Sequence, residues 1–528
     1  MAKLDYWQRR QAEDMVRYIQ SADDTADDIA LLYQQASSYI AGKVDDIFEK
    51  YRSKHSLSEQ EALLLLNTMQ DKTSLEELLE KLRSGNADET KKELLAKLEA
   101  PAYSARIEHF KQLQEQIDDI AVSIYRQEKQ RQTSHYEELA QEAYYRSTYN
   151  VQQDTGIDFE FSDVKAKTIE QVINRRWSGK NYSERIWKNT QELAQDLKQE
   201  LLINLVTGRS NREAAIVIQK KYATGSMEAR RLVWTESCYI AAEMNAIAYE
   251  EMGIEKYRFC AVLDLKTSAI CREMDTKEFL LKDRAPGKNC PPMHPWCRSC
   301  IIPVIDGEVT DGLKRRTRDT ITHKVTKLPY DMTYKQWYEK YVKGKPFVEI
   351  EEKKIKNMSA DRKQWKKYRA ILKDKIPDSL DKFQDMKYNE LEKWKYMKLD
   401  YRRRNQLIKN PELKLPNAEN AVAPDKKFTN YLFGGENPDG LAKGKLFESR
   451  LGYSINNWNK LQKEILNNAT IYPASYKDNN GYGDRYEQKM VLYGCKGTPA
   501  NVIVGWLYKV DGSISMTSAY IKEVSEWK

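Results

Sequence analysis

One proline, Pro101, interrupts the first 255 residues of this 528-residue chain. Proline removes a backbone donor and clashes with the preceding helical turn, so its near absence permits very long helices. Apolar residues recur here at steps of three and four, as in Ile29, Leu32, Tyr33, Ala36, Tyr39 and Ile40. That is the period of one helical face. Residues 1–165 are therefore expected to form a helical N-terminal region. Within it, Ser58 stands three residues before Glu61, the spacing of a capping box ahead of EALLLLNTM. Residues 103–149 should form another long amphipathic helix or pair. The polar stretch QQDTGIDFEFSD breaks the run. Helices resume through SERIWKNTQELAQDLKQELLINLV, with Gly208 as C-cap.

A chain of this length exceeds one core, so two to four units are expected. No run of about 18 apolar residues exists, which predicts no membrane span. The stretch MAKLDYWQRRQAEDM lacks the apolar core of a secretory signal, and assembly in cytoplasm is expected. Basic residues number 87 and acidic residues 79, an excess that permits nucleic-acid contact without requiring it.

The texture changes at Tyr257. YRFCAVLD reads as a strand, and Leu280 and Leu281 suggest another. Gly287, Pro291, Pro292 and Pro295 then impose irregular backbone. Five of the seven cysteines fall between residues 260 and 303, with one histidine among them. Cys271, Cys290, His294, Cys297 and Cys300 are separated by eighteen, three, two and two residues. An odd, clustered set of thiols favours a metal or free thiols over disulfides. Thiolates and imidazole in this grouping suit a tetrahedral zinc site, within a small α+β module. Glu273 and Asp275 read as helix-surface acids facing solvent.

Residues 306–425 are rich in Lys, Tyr and Trp. MTYKQWYEKYV and DRKQWKKYRAIL look like short amphipathic helices, and YRRRNQLIKN adds a basic run. The favoured reading is a solvated helical extension whose aromatics pack on a neighbouring surface. The other is contact with DNA, as in a packaging factor. From residue 426 onward, the glycine-rich FGGENPDGLAKGK precedes one helix, NNWNKLQKEILNN. Three strand-like runs follow: YEQKMVLYG, ANVIVGWLYKV and SISMTSAYI. Gly494 and Gly497, and Asp511 with Gly512, mark hairpin turns. This predicts a compact α+β domain over 426–528.

Several motifs together resemble the phage Mu F-like head morphogenesis, or minor head, family. They are Tyr6-Trp7-x-x-Arg10, Trp177-Ser178-Gly179-Lys180 and Ser183-x-Arg185-Ile186-Trp187. Then come Ala229-Arg230-Arg231-Leu232-Val233-x-Thr235-Glu236 and Tyr249-Glu250-x-x-Gly253-Ile254. Leu263-Asp264-x-x-Thr267, Cys271-x-x-Met274-Asp275 and Pro291-Pro292-x-His294-Pro295-x-Cys297-Arg298 complete the set. The resemblance places the Mu F-like module at 166–305. It implies a minor virion protein at the portal vertex or capsid interior, present in host cytoplasm during assembly. Its partners would be the portal protein and the major capsid protein or scaffold, with phage DNA as a further contact. The family's shared set maps to Cys271, His294 and Cys297. Cys300 would supply a fourth ligand to a structural zinc, with Cys290 as competitor. Trp234 stands where the family usually has arginine. A helical Arg/Thr/Glu grouping such as the one ending at Thr235-Glu236 can orient a ligand in transferase folds; no catalytic role is expected of it here.

The last hundred residues resemble an uncharacterised domain that recurs behind head proteins and at the tips of polymorphic toxins. Asn437-Pro438, Gly440, Lys443, Lys445, Phe447-Glu448, Leu451-Gly452-Tyr453, Gly494, Val502, Trp506 and Thr517-x-x-Tyr520 carry that likeness. A helix on an antiparallel sheet is also the plan of small ribonuclease toxins, which are held in check by an immunity protein. Metal-free RNA cleavage needs a base, a phosphate-binding cation and an acid. No histidine follows His323, so Arg485, Lys489, Thr517 and Tyr520 are the candidate catalytic residues, with Lys443 and Lys445 as further cations. The fold expected is thus multidomain: a mainly α N-terminal body, a small α+β zinc-pinned module, a basic helical extension and a C-terminal α+β domain.

Overall fold

A computed structural model describes residues 3–49, 80, 92–93, 95–96, 101–155, 163–207, 211–305, 314–318, 325–329, 332–496 and 498–524. The capping box at Ser58, the C-cap at Gly208 and most of the QQDTGIDFEFSD break lie outside these residues, as do the side chains of Tyr6 and Trp7. Two compact units emerge, residues 1–343 and 344–528.

The first unit is built on helices α1 (Lys3–Glu49), α2 (Pro101–Thr155), α3 (Ala166–Asn174), α4 (Tyr182–Thr207) and α5 (Asn211–Glu251). The apolar stripe of α1 packs as its period demands: Ile29, Leu32, Tyr33 and Ile40 are buried. Tyr39, counted on that face, instead points outward. Ile117 and Ile124 of α2, Leu197 of α4, and Ile218 and Val233 of α5 join α1 in one core. Gly225 of α5 lets the Tyr33 ring press close; a Cβ there would stand 2.7 Å from Tyr33 Cε1. A second core gathers Tyr136, Tyr144, Ile173, Ile186, Tyr239 and Met244.

After α5 the chain turns at Gly253, φ +74°, into an antiparallel sheet of order β2-β1-β3. Its strands are β1 (Lys256–Cys260), β2 (Glu278–Leu280) and β3 (Cys300–Val304). Helix α6 (Ala269–Met274) sits between β1 and β2, capped by Ser268. A hairpin of β4 (Lys314–Arg318) and β5 (Val325–Pro329) follows. Helix α7 (Tyr334–Tyr341) starts in a capping box of Thr333 and Gln336. Asp275 departs from its sequence reading as a solvent-facing acid: it is buried. One oxygen accepts the Ala261 N–H and the other the Tyr334 N–H, both at 2.9 Å. A carboxylate that satisfies two buried donors belongs inside. Glu273 is exposed, as expected.

The second unit opens with α8 (Pro346–Leu372), α9 (Leu380–Asn389) and α10 (Leu391–Lys409). Their aromatics meet one another. Tyr368 stacks on Tyr401 with centroids 4.0 Å apart, and Phe383 meets Trp394 edge-on at 5.4 Å. A π-turn at Phe428–Leu432 leads to α11 (Pro438–Leu451) and α12 (Trp458–Ala469). An antiparallel sheet of order β6-β7-β8-β9 follows. Its strands are β6 (Ala474–Asn479), β7 (Asp484–Leu492), β8 (Ala500–Tyr508) and β9 (Ile514–Ile521). Two helices thus stand where one was expected. The glycine-rich entry becomes helical at Pro438, whose N1 position suits proline, with Asn437 capping by accepting the Gly440 N–H. Strand β6 is also additional to the three expected. Phe447, Leu461, Ile465, Met490, Val504 and Trp506 fill the core between helices and sheet. Among the described residues no helix is long and apolar enough to cross a membrane.

Candidate metal centre

Helix α6 presents Cys271 in its first turn, where the Ser268 hydroxyl accepts the Cys271 N–H at 3.4 Å. The proline-rich loop before β3 brings back His294 and Cys297. Cys271 Sγ lies 3.3 Å from His294 Nε2 and 3.8 Å from Cys297 Sγ. One donor atom from each residue falls within 4.8 Å of the others. Two sulfurs on a tetrahedral zinc, each at about 2.3 Å, stand about 3.8 Å apart. His294 Nδ1 sits 2.7 Å from the Pro295 carbonyl and donates to it, which leaves the Nε2 lone pair facing the sulfurs.

Helix α5 adds a residue the sequence reading passed over. Cys238 is buried in the same cluster as Cys271 and Cys297, and its thiol points at the Ser299 carbonyl at 3.6 Å. Hydrogen bonds from Cys238 and then Cys271 hold the Cys297 thiol well below the usual range. The bond with Cys297, together with burial, pushes Cys271 up. Cys300 and Cys290 fall outside the 4.8 Å grouping, although Cys300 packs in the same buried cluster as Cys271 and Cys297. The Cys300 thiol faces the Cys260 carbonyl at 3.9 Å, and Cys290 packs with Tyr257 and Ile301. A thiophilic cation fits the three gathered donors, and Cys271, His294 and Cys297 would hold it. Bound there it would cross-link α6 to the loop. The loop is fastened independently by Arg298, which pairs with Asp264 through two bonds of 2.7 and 3.0 Å.

Beside this clasp lies a cavity of about 640 Å³, walled by Trp177, Arg185, Arg231, Glu236, Met293 and His294 among others. Glu236 is buried, and that burial pushes its carboxyl up to about 7. The Trp177 indole donates to Glu236 Oε2 at 2.9 Å, while Arg185 Nε stands 3.6 Å from Oε1. Thr235 Oγ1 donates to the Arg231 carbonyl and accepts the Trp296 N–H at 3.3 Å. Thr235 and Glu236 thus join helix α5 to the clasp loop and to the Trp177 turn.

In the second unit the candidate residues separate. Lys489 and Tyr520 line one cleft of about 530 Å³ on the outer face of the sheet. Lys443 donates to the Tyr431 hydroxyl at 3.0 Å and stands over the Tyr520 ring at 5.7 Å. Arg485 is exposed and pairs with Asp478. Thr517 is exposed where the β8–β9 register shifts beside Gly505, and Lys445 is exposed on α11.

Comparison with known proteins places this geometry. Residues 414–523 match a domain of unknown function, DUF6883. A curated relative, the NAD(+)–arginine ADP-ribosyltransferase EFV of Enterococcus faecalis, is 25% identical over 213 residues. That match covers 38% of this chain and 42% of the relative, so the chain spans about two-fifths of the relative's length. No solved structure matches. Residues 195–302, which carry helix α5 and all three clasp residues, are similar to the family described as Phage Mu protein F like protein.

Proposed function

We propose that the chain is a phage minor head protein that acts in head morphogenesis at the portal vertex or capsid interior and carries its C-terminal unit as cargo. The observation that carries this reading is the Mu F-like match over residues 195–302, the segment that forms the clasp and its supporting helix. The clasp serves as a structural zinc site rather than a catalytic one. Its two cysteines are buried, and the nearby acid that sequence spacing offered, Asp275, is consumed by two backbone bonds. Mass spectrometry of purified virions, stripped of their tails, tests the placement. The chain is expected to stay with the head fraction at low copy number and to co-sediment with the portal protein. Its absence from heads would overturn the reading.

A second reading makes the C-terminal unit an effector, a nuclease toxin delivered by the virion and neutralised by an immunity protein. It is favoured by the meeting of Lys489 and Tyr520 in one cleft. Expression of residues 344–528, a compact unit by itself, should arrest growth with loss of RNA. Lys489→Gln or Tyr520→Phe should relieve the arrest. Harmless expression of the folded unit would remove this reading and leave the first intact.

A further inference from the structure

We infer that the cleft between helix α10 and the outer face of sheet β6–β9 binds the phosphodiester backbone of a single-stranded nucleic acid. The inference rests on the effector reading of the same cleft and names its ligand. Strand alternation builds the floor. Lys489, Ile503 and Tyr520 pair across three adjacent strands and share one face. Their neighbours Met490, Val502, Val504 and Ala519 turn to the core.

Helix α10 builds the wall by dividing its basic run. Arg404 turns inward to a buried pair with Asp400, while Arg402 and Arg403 line the cleft. The Arg403 guanidinium donates to Asn501 Oδ1 at 2.7 Å, and Asn501 Nδ2 donates to the Lys522 carbonyl at 2.8 Å. One asparagine thus braces the helix wall against the end of β9, and it holds the Arg403 cation in place before any ligand arrives. The two arginines precede the segment that matches the domain of unknown function, so the site is composite: sheet from inside that segment, wall from outside it.

The charge is one-sided. Among the described lining residues, Arg402, Arg403, Lys477, Lys489 and Lys522 stand with two carboxylates, Glu487 and Glu523. Glu487 is already engaged by Lys477 at 3.3 Å. Among the described residues no protein partner faces the Lys489 or Lys522 ammonium or the Tyr520 hydroxyl. A basic groove carrying an aromatic ring is the arrangement that tracks a single strand, with cations on phosphates and a ring for a base. A cleft of about 530 Å³ takes a nucleotide or two and is far too small for a duplex.

Anisotropy of a short labelled oligonucleotide with the full chain tests this, with RNA, DNA and duplex arms and salt raised from about 50 to about 200 mM. Single strands should bind, with affinity falling steeply as salt rises. Lys489→Gln with Lys522→Gln should weaken binding about ten-fold and flatten the salt dependence. Arg402→Gln on the helix wall should weaken it too, while Lys460→Gln, which lies outside the cleft, should change nothing. Tighter binding of RNA or of DNA identifies the source of the strand. No binding, duplex-only binding, equal displacement by polyglutamate, or cleft variants that bind like the parent would each overturn the inference. Binding without cleavage keeps the cleft and removes the nuclease. Cleavage unaffected by the cleft variants does the reverse.

Discussion

The Trp177 indole donates to Glu236 Oε2 at 2.9 Å across 59 residues of sequence, and it does so in the wall of a cavity shared with the clasp loop. The carboxyl is buried, and desolvation outweighs the indole bond and the loosely placed Arg185, so its folded value stands at about 7 against 4.5.

That shift has a definite sign. The folded state binds the Glu236 proton more tightly than the unfolded chain does, so the stability cost of ionisation is absent below pH 4.5 and complete above about pH 7. A shift of that size corresponds to roughly 3 kcal/mol. Glu236→Gln removes the titration and keeps the acceptor for the indole. Its stability relative to the parent should therefore improve as pH rises from 4.5 to 7. Glu128, also raised to about 7 by burial, and His135, lowered to about 4 by burial, titrate in both proteins and cancel in the difference. Urea unfolding at pH 5 and pH 8 checks this, and an equal difference at both would refute it.

The clasp predicts a specific pattern of metal loss. Purified protein should carry about one zinc per chain, and Cys271→Ser or Cys297→Ser should abolish it. Cys300→Ser should retain it, because that thiol lies outside the 4.8 Å group of donors and approaches the Cys260 carbonyl. A ligand that binds only the folded state stabilises it by about 3 kcal/mol at a hundredfold excess over its Kd. Chelation should lower the melting temperature of the parent and leave Cys297→Ser unmoved. Metal analysis with paired melts reads both effects.

Helix α11 allows a test by opposite signs. A Cβ on Gly444 would stand 1.8 Å from the Leu432 carbonyl oxygen, so the helix and the π-turn meet backbone to backbone. Gly444→Ala should cost about 1–3 kcal/mol despite alanine's higher helix propensity. Gly42, about two turns before the end of α1, has nothing within 4 Å of its Cβ position. Gly42→Ala should stabilise by about 1 kcal/mol. Denaturation midpoints of the two variants should move in opposite directions; movement in the same direction would contradict the packing.

The long helices of the first unit were legible because period and proline absence act locally, and both survive in α1, α2, α4 and α5. The clasp trio was legible for a different reason: two of its members sit two residues apart from each other in one loop. Cys238 was hidden because it lies on a helix far upstream, and a search by cysteine spacing favours sequence neighbours such as Cys300. The Trp177–Glu236 bond and the buried role of Asp275 were hidden likewise, since each depends on chain segments that meet only in the fold. Four glycines from 434 to 444 masked helix α11, which Asn437 and Pro438 announced. Strand β6, ASYKDN, is exposed after its first residue and so lacks the alternation that marks a half-buried strand.

The segment that matches a known domain begins at residue 414, yet the fold ties it to helix α10 by a buried charge. Asp400 Oδ1 accepts from Arg404 Nε at 2.6 Å and from the Tyr472 hydroxyl, and Oδ2 accepts from the Tyr493 hydroxyl at 2.7 Å. Asp400 is fully buried, and Arg404 is nearly so. Removing one member strands the other in a dry environment. Asp400→Ala should therefore cost about 3–5 kcal/mol, and adding Arg404→Met should recover part of that loss. It follows that residues 414–528 alone, which lack the Asp400 carboxylate that Tyr472 and Tyr493 bond and which expose Val491, should unfold at lower urea than residues 344–528. Matched urea titrations of the two fragments check this. Coincident transitions would mean that α10 is an attachment to the domain and not part of its cooperative unit.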